Sequence, residues 1–175
     1  MSRTQLVLII GPLAGGKSTT ARALVDALRE QERAAALVEL DQIADMTRPT
    51  LPDWSDAHAI FAMVTGRWLQ AGLDVVVAEG PGSLDELDLV QRSIPDGTPV
   101  FMVVVEAPFT TALRRAQDDP TRGLSRDPDF LAKMHAGWAD ERMRIVSDLR
   151  LDTSEMSVDA AVASILDRLR FPRPD

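Results

Sequence analysis

The chain of 175 residues has no cysteine, which excludes disulfides and thiolate metal sites and leaves nothing that points to an oxidising compartment. Its 2 histidines, His58 and His135, stand isolated, so a metal hydrolase would lack the clustered ligands it needs. No apolar run approaches the ~20 residues of a membrane span, and residues 1–5 lead into a short apolar run instead of a long signal segment. A soluble, cytoplasmic protein with no membrane partner is the expectation. Positive charge is scarce too. Lysine occurs only at Lys17 and Lys133, and the formal net charge of -8 argues against nonspecific nucleic-acid binding. Residues 51–100 set their acids against only Arg67 and Arg92, whereas residues 101–150 are balanced and hold the cluster Arg114, Arg115, Arg122 and Arg126.

What the chain does have is apolar content, 45% of residues, enough for one domain over 1–175 with a proper core. Short apolar runs alternate with amphipathic segments, the pattern of a parallel sheet covered by helices on both faces. Strands are expected at 4–10, 35–40, 74–79 and 99–105, with a weaker fifth near 148–152. Ala21, Leu24, Val25 and Leu28 recur at helical spacing after the first of them. Ile60, Phe61, Val64 and Trp68 form another stripe, and Phe130, Leu131, Met134 and Trp138 repeat its spacing; both read as core-facing. The last helix opens at Ser157 as N-cap, with Val158, Ala161, Val162, Ile165 and Leu169 facing inward, and the tail Phe171-Pro172-Arg173-Pro174-Asp175 cannot continue it. Residues 116–128 combine dense charge, Pro120 and Gly123 with no apolar period, and read as a mobile loop. No pattern in the sequence speaks to oligomeric state.

The sharpest motif is Gly11-Pro12-Leu13-Ala14-Gly15-Gly16-Lys17-Ser18, which fits G-x-x-x-x-G-K-[ST] directly after the apolar residues 6–10. Glycines let the backbone curl so that the N–H groups of a loop including Gly11, Ala14, Gly15 and Gly16 point around a phosphate, and the following helix adds its positive end. The expected guest is the polyphosphate of ATP. Lys17 would lay a mobile charge on the β and γ phosphates, Ser18 would join a Mg²⁺ shell, and Thr19 would donate to the α phosphate. A GTP switch is excluded because its N-K-x-D motif needs asparagine, which this chain lacks, and D-x-x-G is absent too. A dinucleotide fingerprint fails because Asp85 holds the third-glycine position after Gly80-Pro81-Gly82.

A parallel sheet keeps its working residues beyond the carboxyl ends of its strands, and two acids fall there. Asp41 follows the second strand and Glu79 ends the third. Asp41 is suited to accept a proton from a hydroxyl that attacks the γ phosphate, or else caps the next helix. Glu79 would hold Mg²⁺ through water or bind the acceptor.

With these residues in order, the chain resembles the small P-loop kinases, the group that includes shikimate kinase, gluconate kinase and especially chloramphenicol phosphotransferase. The resemblance spans nearly the whole chain: strand, phosphate loop, helix, strand, Asp41, an arginine-rich loop, and Leu151-Asp152-Thr153-Ser154 before the last helix. It implies a three-layer α/β fold with a five-stranded parallel sheet, and transfer of the γ-phosphate of ATP to a hydroxyl of a small molecule, a metabolite or an antibiotic. It assigns Asp41 the base, and Arg122 and Arg126 the lid arginines that neutralise charge during transfer. It also implies that Arg114 or Arg115 stacks on adenine opposite residues 152–155, where Thr153 lies, and that Arg48 and Trp54 contact the acceptor. Trp54 would cover a ring-bearing substrate or simply staple the following helix. The departures are the missing second aspartate of a Walker B pair and the missing acceptor-binding arginine pattern of shikimate kinase. The competing reading is a nucleotide-binding regulator or slow ATPase with no small-molecule acceptor.

Overall fold

The computed structural model describes residues 4–47 and 53–169. Arg48 and the tail at 171–175 lie outside them. Five strands, β1 (Gln5–Ile10), β2 (Ala35–Glu39), β3 (Val75–Glu79), β4 (Val100–Glu106) and β5 (Leu149–Asp152), form one parallel sheet in the order β2-β3-β1-β4-β5. Around it run α1 (Lys17–Glu30), α2 (Leu40–Asp45), α3 (Ser55–Trp68), α4 (Leu84–Ser93), α5 (Phe109–Asp118), α6 (Pro128–Glu141) and α7 (Val158–Leu166).

The central strand explains why its sequence is uninterrupted apolar. In β1, side chains alternate between two cores, and both are covered. Leu6, Leu8 and Ile10 pack with Val76, Ala78 and Val104 against Phe61, Ala62 and Leu87. Val7 and Ile9 pack with Val77, Val103 and Val105 against Leu24, Val25, Leu28, Val162 and Ile165. Each such fully buried side chain contributes about 1.5–3 kcal/mol by leaving water. The layers are therefore α1 and α7 on one face and the α2–α4 side on the other, as expected.

Element ends follow local chemistry. The second strand stops at Glu39 and Leu40 already begins α2, one residue short of the expected 35–40. Ser157 caps α7 by accepting from the Ala160 N–H at 3.2 Å, although Val158 in its first turn stays outside the core. In the segment 116–128, α5 continues through Asp118, a single 3-10 turn covers Leu124–Arg126, and Asp127 caps α6 by accepting from Phe130 N–H at 2.8 Å ahead of Pro128. An aspartate followed by proline at the first helical position is a start signal that the charge density of the stretch obscured.

Both aromatic stripes depart from expectation. On α3 only Phe61 of the bulky four is buried, while Ile60 and Trp68 are 41% and 44% exposed. The face that packs is made of small residues, Ala57, Ala62, Thr65 and Gly66, because α3 approaches α4 closely. On α6 Leu131 and Trp138 are buried, but Phe130 and Met134 turn toward a cleft.

Gly66 is where this close approach is decided, since a Cβ there would lie 2.1 Å from the carbonyl oxygen of Ser93. Gly66→Ala gains helix propensity yet must push two backbones apart, an overpacking that costs about 1–3 kcal/mol. We expect its thermal midpoint to fall by several degrees; a midpoint equal to or above wild type in a melting experiment would mean that α3 and α4 are not in this contact.

Candidate active site

The carboxyl edge of the sheet builds the site. Directly after β1 the chain turns at Gly11, whose φ of 147° and closeness to β4 leave no room for a side chain: a Cβ would sit 2.0 Å from the Val105 carbonyl oxygen. The loop continues through Ala14 at φ 56°, a left-handed conformation that alanine adopts only at a cost, and through Gly16 at φ 100° into α1. The Ala14 methyl is buried with Ala112, Ala116 and Leu131, so helices α5 and α6 hold it there. No side chain caps α1 and no acid lies in its first turn. Its leading N–H groups and its positive end are thus left for an anion.

Lys17 curls back over this loop, donating from Nζ to the carbonyl oxygens of Gly11 at 2.9 Å and Pro12 at 3.0 Å. Burial pushes its pKa down, Glu79, Asp41 and Glu86 pull it back up, and Arg122 adds a smaller push down. The Ser18 hydroxyl donates to Glu79 Oε1 at 2.9 Å. Glu79 is only 2% exposed, and burial raises its carboxyl pKa, against the pull of Lys17 and the Ser18 hydrogen bond; Asp41 and Glu39 raise it further.

These groups open onto a cleft of about 570 Å³. Of the residues expected in the site, the loop residues Gly11, Ala14, Gly15, Gly16, Lys17, Ser18 and Thr19 meet there with Asp41, Trp54, Glu79 and Arg122. Asp41 stands in the first turn of α2, exposed to the cleft. Arg122 pairs with Asp119 at 3.3 Å. Arg126 does not line the cleft and instead donates to the Gln117 carbonyl at 3.4 Å. Of the adjacent arginines, Arg115 rather than Arg114 reaches Thr153, from Nη1 to Oγ1 at 2.8 Å and from Nη2 to the carbonyl at 2.9 Å. Thr153 in turn donates to the Gly15 carbonyl at 2.8 Å, so α5 is tied through the loop after β5 to the phosphate loop.

Sequence reasoning missed several residues of the cleft. His58, read as isolated, lies one helical turn after Trp54, with ring centroids 6.2 Å apart, and its Nε2 is 3.3 Å from Glu86 Oε1. Glu86 was legible in principle. The Ser83-x-x-Glu86 spacing is that of a capping box: Ser83 Oγ accepts from the Glu86 N–H at 3.3 Å, while Glu86 Oε2 reaches one residue beyond the cap and accepts from the Gly82 N–H at 2.6 Å. Phe130 and Met134 were assigned to the core because nothing in their spacing distinguishes a core from a cleft.

The donor set suits magnesium. Ser18, Glu79 and Asp41 offer oxygen only, which is the preference of that ion. Among the described residues no three acid or histidine side chains converge into a self-sufficient metal centre.

No family model and no curated protein matches the sequence. Solved structures do match. The Mycobacterium tuberculosis APS kinase CysC, in complex with AMPPNP and APS, is 20% identical with a TM-score of 0.68, over 95% of this chain and 98% of that one. A sugar kinase from Janibacter sp. is 18% identical with a TM-score of 0.64, over 94% and 93%. The chain has the fold of the small P-loop kinases, with the five-stranded parallel sheet and two helical layers expected of it. Among the described residues no helix is long and apolar enough to cross a membrane.

The raised carboxyl of Glu79 has a signed consequence. A proton bound more tightly in the folded than in the unfolded state stabilises the fold at low pH, and that contribution is lost as pH rises through the folded value. We expect the thermal midpoint of the nucleotide-free wild type to decline relative to Glu79→Gln as pH rises from the ordinary carboxylate range toward neutrality. A difference between the two that stays constant over this window would show that Glu79 titrates at its ordinary value.

Proposed function

We propose that this protein is a kinase that moves the γ-phosphate of ATP to a hydroxyl of a small molecule. The observation that carries the reading is that Lys17, Ser18, Arg122 and Asp41 face one cleft, the first three around the phosphate loop and the last at the start of α2, beside the end of β3. The loop N–H groups and the α1 N-terminus bind the polyphosphate, and Lys17 exchanges its two carbonyl partners for phosphate oxygens. Asp41 takes the proton of the acceptor hydroxyl. The acceptor oxygen forms its bond to the γ phosphorus while the bond to the bridging oxygen breaks, and ADP leaves with that electron pair. Arg122, with Arg126 as the segment 116–128 closes, neutralises charge on the transferring group. Mg²⁺ bound with the nucleotide supplies further charge neutralisation, and Ser18 with Glu79 would hold it. Arg115 and Thr153 frame the nucleotide side of the loop.

The fold shared with an APS kinase and a sugar kinase supports phosphoryl transfer as the reaction class. A regulator or slow ATPase would use the same loop but has no need of a second, aromatic-lined compartment beside it.

Lys17→Ala should abolish saturable ATP·Mg binding in a calorimetric titration while leaving the melting temperature near wild type; undiminished affinity would remove the loop from the reading. Asp41→Asn should retain ATP binding and lose phosphoryl transfer by ~10²-fold or more. Its activity is measured by incubating the protein with ATP and a panel of hydroxylated metabolites and antibiotics and looking for added phosphate by mass spectrometry. ADP release by wild type without any phosphorylated acceptor across a broad panel would favour the ATPase.

A further inference from the structure

The peptide between Gly15 and Gly16 is the loosest link in the phosphate loop. Glycine stands on both sides of it, so its plane can turn over by rotation about ψ of Gly15 and φ of Gly16 with no Cβ to oppose the movement. The orientation matters. A planar trans peptide directs its C=O and its N–H oppositely, so one orientation offers a polyphosphate a donor and the other faces it with a carbonyl oxygen. Gly16 lines the cleft, and its N–H has no partner among the described residues.

What fixes the plane is the hydroxyl of Thr153, which donates to the Gly15 carbonyl at 2.8 Å. Its proton has little choice. Arg115 Nη1 donates to the same oxygen at 2.8 Å, and a guanidinium cannot accept, so the hydroxyl must accept from the arginine and give its hydrogen to a carbonyl. Gly15 is the nearer of the two carbonyls in reach, the other being Glu106 at 3.4 Å. A charged donor on the oxygen also polarises the O–H and strengthens the bond that it gives. Thr153 is itself anchored: its N–H donates to the Glu106 carbonyl at 2.9 Å, and its carbonyl accepts from Arg115 Nη2 at 2.9 Å. The side chain lies against Gly16, where a Cβ would sit 3.1 Å from both Cγ2 and Oγ1.

We infer that Thr153 is a positioning residue of the phosphate loop: its hydroxyl, oriented by Arg115, locks the Gly15–Gly16 peptide with the Gly16 N–H turned to the polyphosphate. It needs no contact with the nucleotide to do so. The inference rests on the nucleotide-binding part of the kinase reading above, and it gives Arg115 and Thr153 a task beside the adenine-side one that the sequence resemblance implies. With the hydroxyl gone, nothing in the glycine pair holds the plane, and binding must first select the orientation that presents the donor. The cost then falls on phosphate recognition, whatever base is attached.

The probe that isolates this task is inorganic tripolyphosphate with Mg²⁺, which carries no base, titrated calorimetrically into the full chain alongside ATP·Mg. Wild type should saturate with both. Thr153→Val keeps the side-chain shape and removes the hydroxyl, and should weaken tripolyphosphate and ATP by the same factor, at least ~10-fold, the worth of one hydrogen bond to a charged group. Thr153→Ser restores the hydroxyl and should return to within about threefold of wild type. In the nucleotide-free chain the Gly16 amide resonance, read by NMR after glycine labelling, should move in Thr153→Val and recover in Thr153→Ser. If Thr153→Val does not fold, Arg115→Met serves in its place: it leaves the hydroxyl proton free to turn away, and should weaken tripolyphosphate about fivefold and move the same resonance. Weakened ATP with unmoved tripolyphosphate would assign Thr153 to the base and overturn the inference. So would Thr153→Ser binding no better than Thr153→Val, a Gly16 resonance shared by wild type and Thr153→Val, or no saturation of wild type by tripolyphosphate up to about 10 mM. If Thr153→Val binds as wild type does while phosphate still reaches an alcohol, the inference falls and the kinase reading stands. If the order of affinities holds but no alcohol of the panel is phosphorylated, the lock stands and the kinase reading fails.

Discussion

The site depends on one buried ammonium. Lys17 has left water almost completely, and only the carbonyl oxygens of Gly11 and Pro12 and the field of nearby carboxylates hold it charged. Both carbonyls belong to the loop that Lys17 itself closes, so the lysine and the loop stabilise each other's shape. The loop in turn exists only because β1 and β4 run side by side in register, with Ile10 opposite Val104, which carries Gly11 onto the Val105 carbonyl. Packing of the central strands and placement of the charge are thus a single problem, solved by two apolar cores on opposite faces of one sheet.

Around that cation the sheet edge is negative. Glu39, Glu79, Glu106 and Asp152 each end a strand, and only β1 ends without an acid. Each has an assigned partner: Arg22 on Glu39 at 2.7 Å, Ser18 on Glu79, Arg142 and Trp138 on Glu106 at 2.7 and 3.1 Å, and Ser154 on Asp152. The acids are therefore anchored, and an entering polyphosphate meets repulsion at the margins and attraction only at the loop. Such an arrangement gives orientation more than affinity.

Much of this was readable beforehand, for physical reasons that also mark where reading fails. The phosphate loop has a fixed spacing set by backbone geometry, and the strands of a parallel sheet are apolar throughout, so both appear in one dimension. Asp41 and Glu79 followed from the rule that strand ends face the site. Glu79, read from sequence as a magnesium or acceptor residue, is buried with its Oε1 on the Ser18 hydroxyl, since the register that pairs Ile9 with Glu79 turns its side chain toward the loop. That Arg115 and not Arg114 reaches Thr153 depends on the rotation of α5, which spacing alone does not give. The cleft's aromatic wall needed helix packing that spacing does not give: Phe130 and Met134 line the cleft from the helix that buries Leu131, and Trp138, though buried, reaches the same cleft.

Ala14 draws these parts together. It sits in a left-handed backbone conformation worth about 1–2 kcal/mol of strain, and its methyl is covered by Ala112 and Ala116 of α5 and Leu131 of α6. Those two helices flank the arginine segment. The shape of the phosphate loop therefore depends on how both helices beside the arginine segment pack, and the alanine acts as a latch between them and the loop.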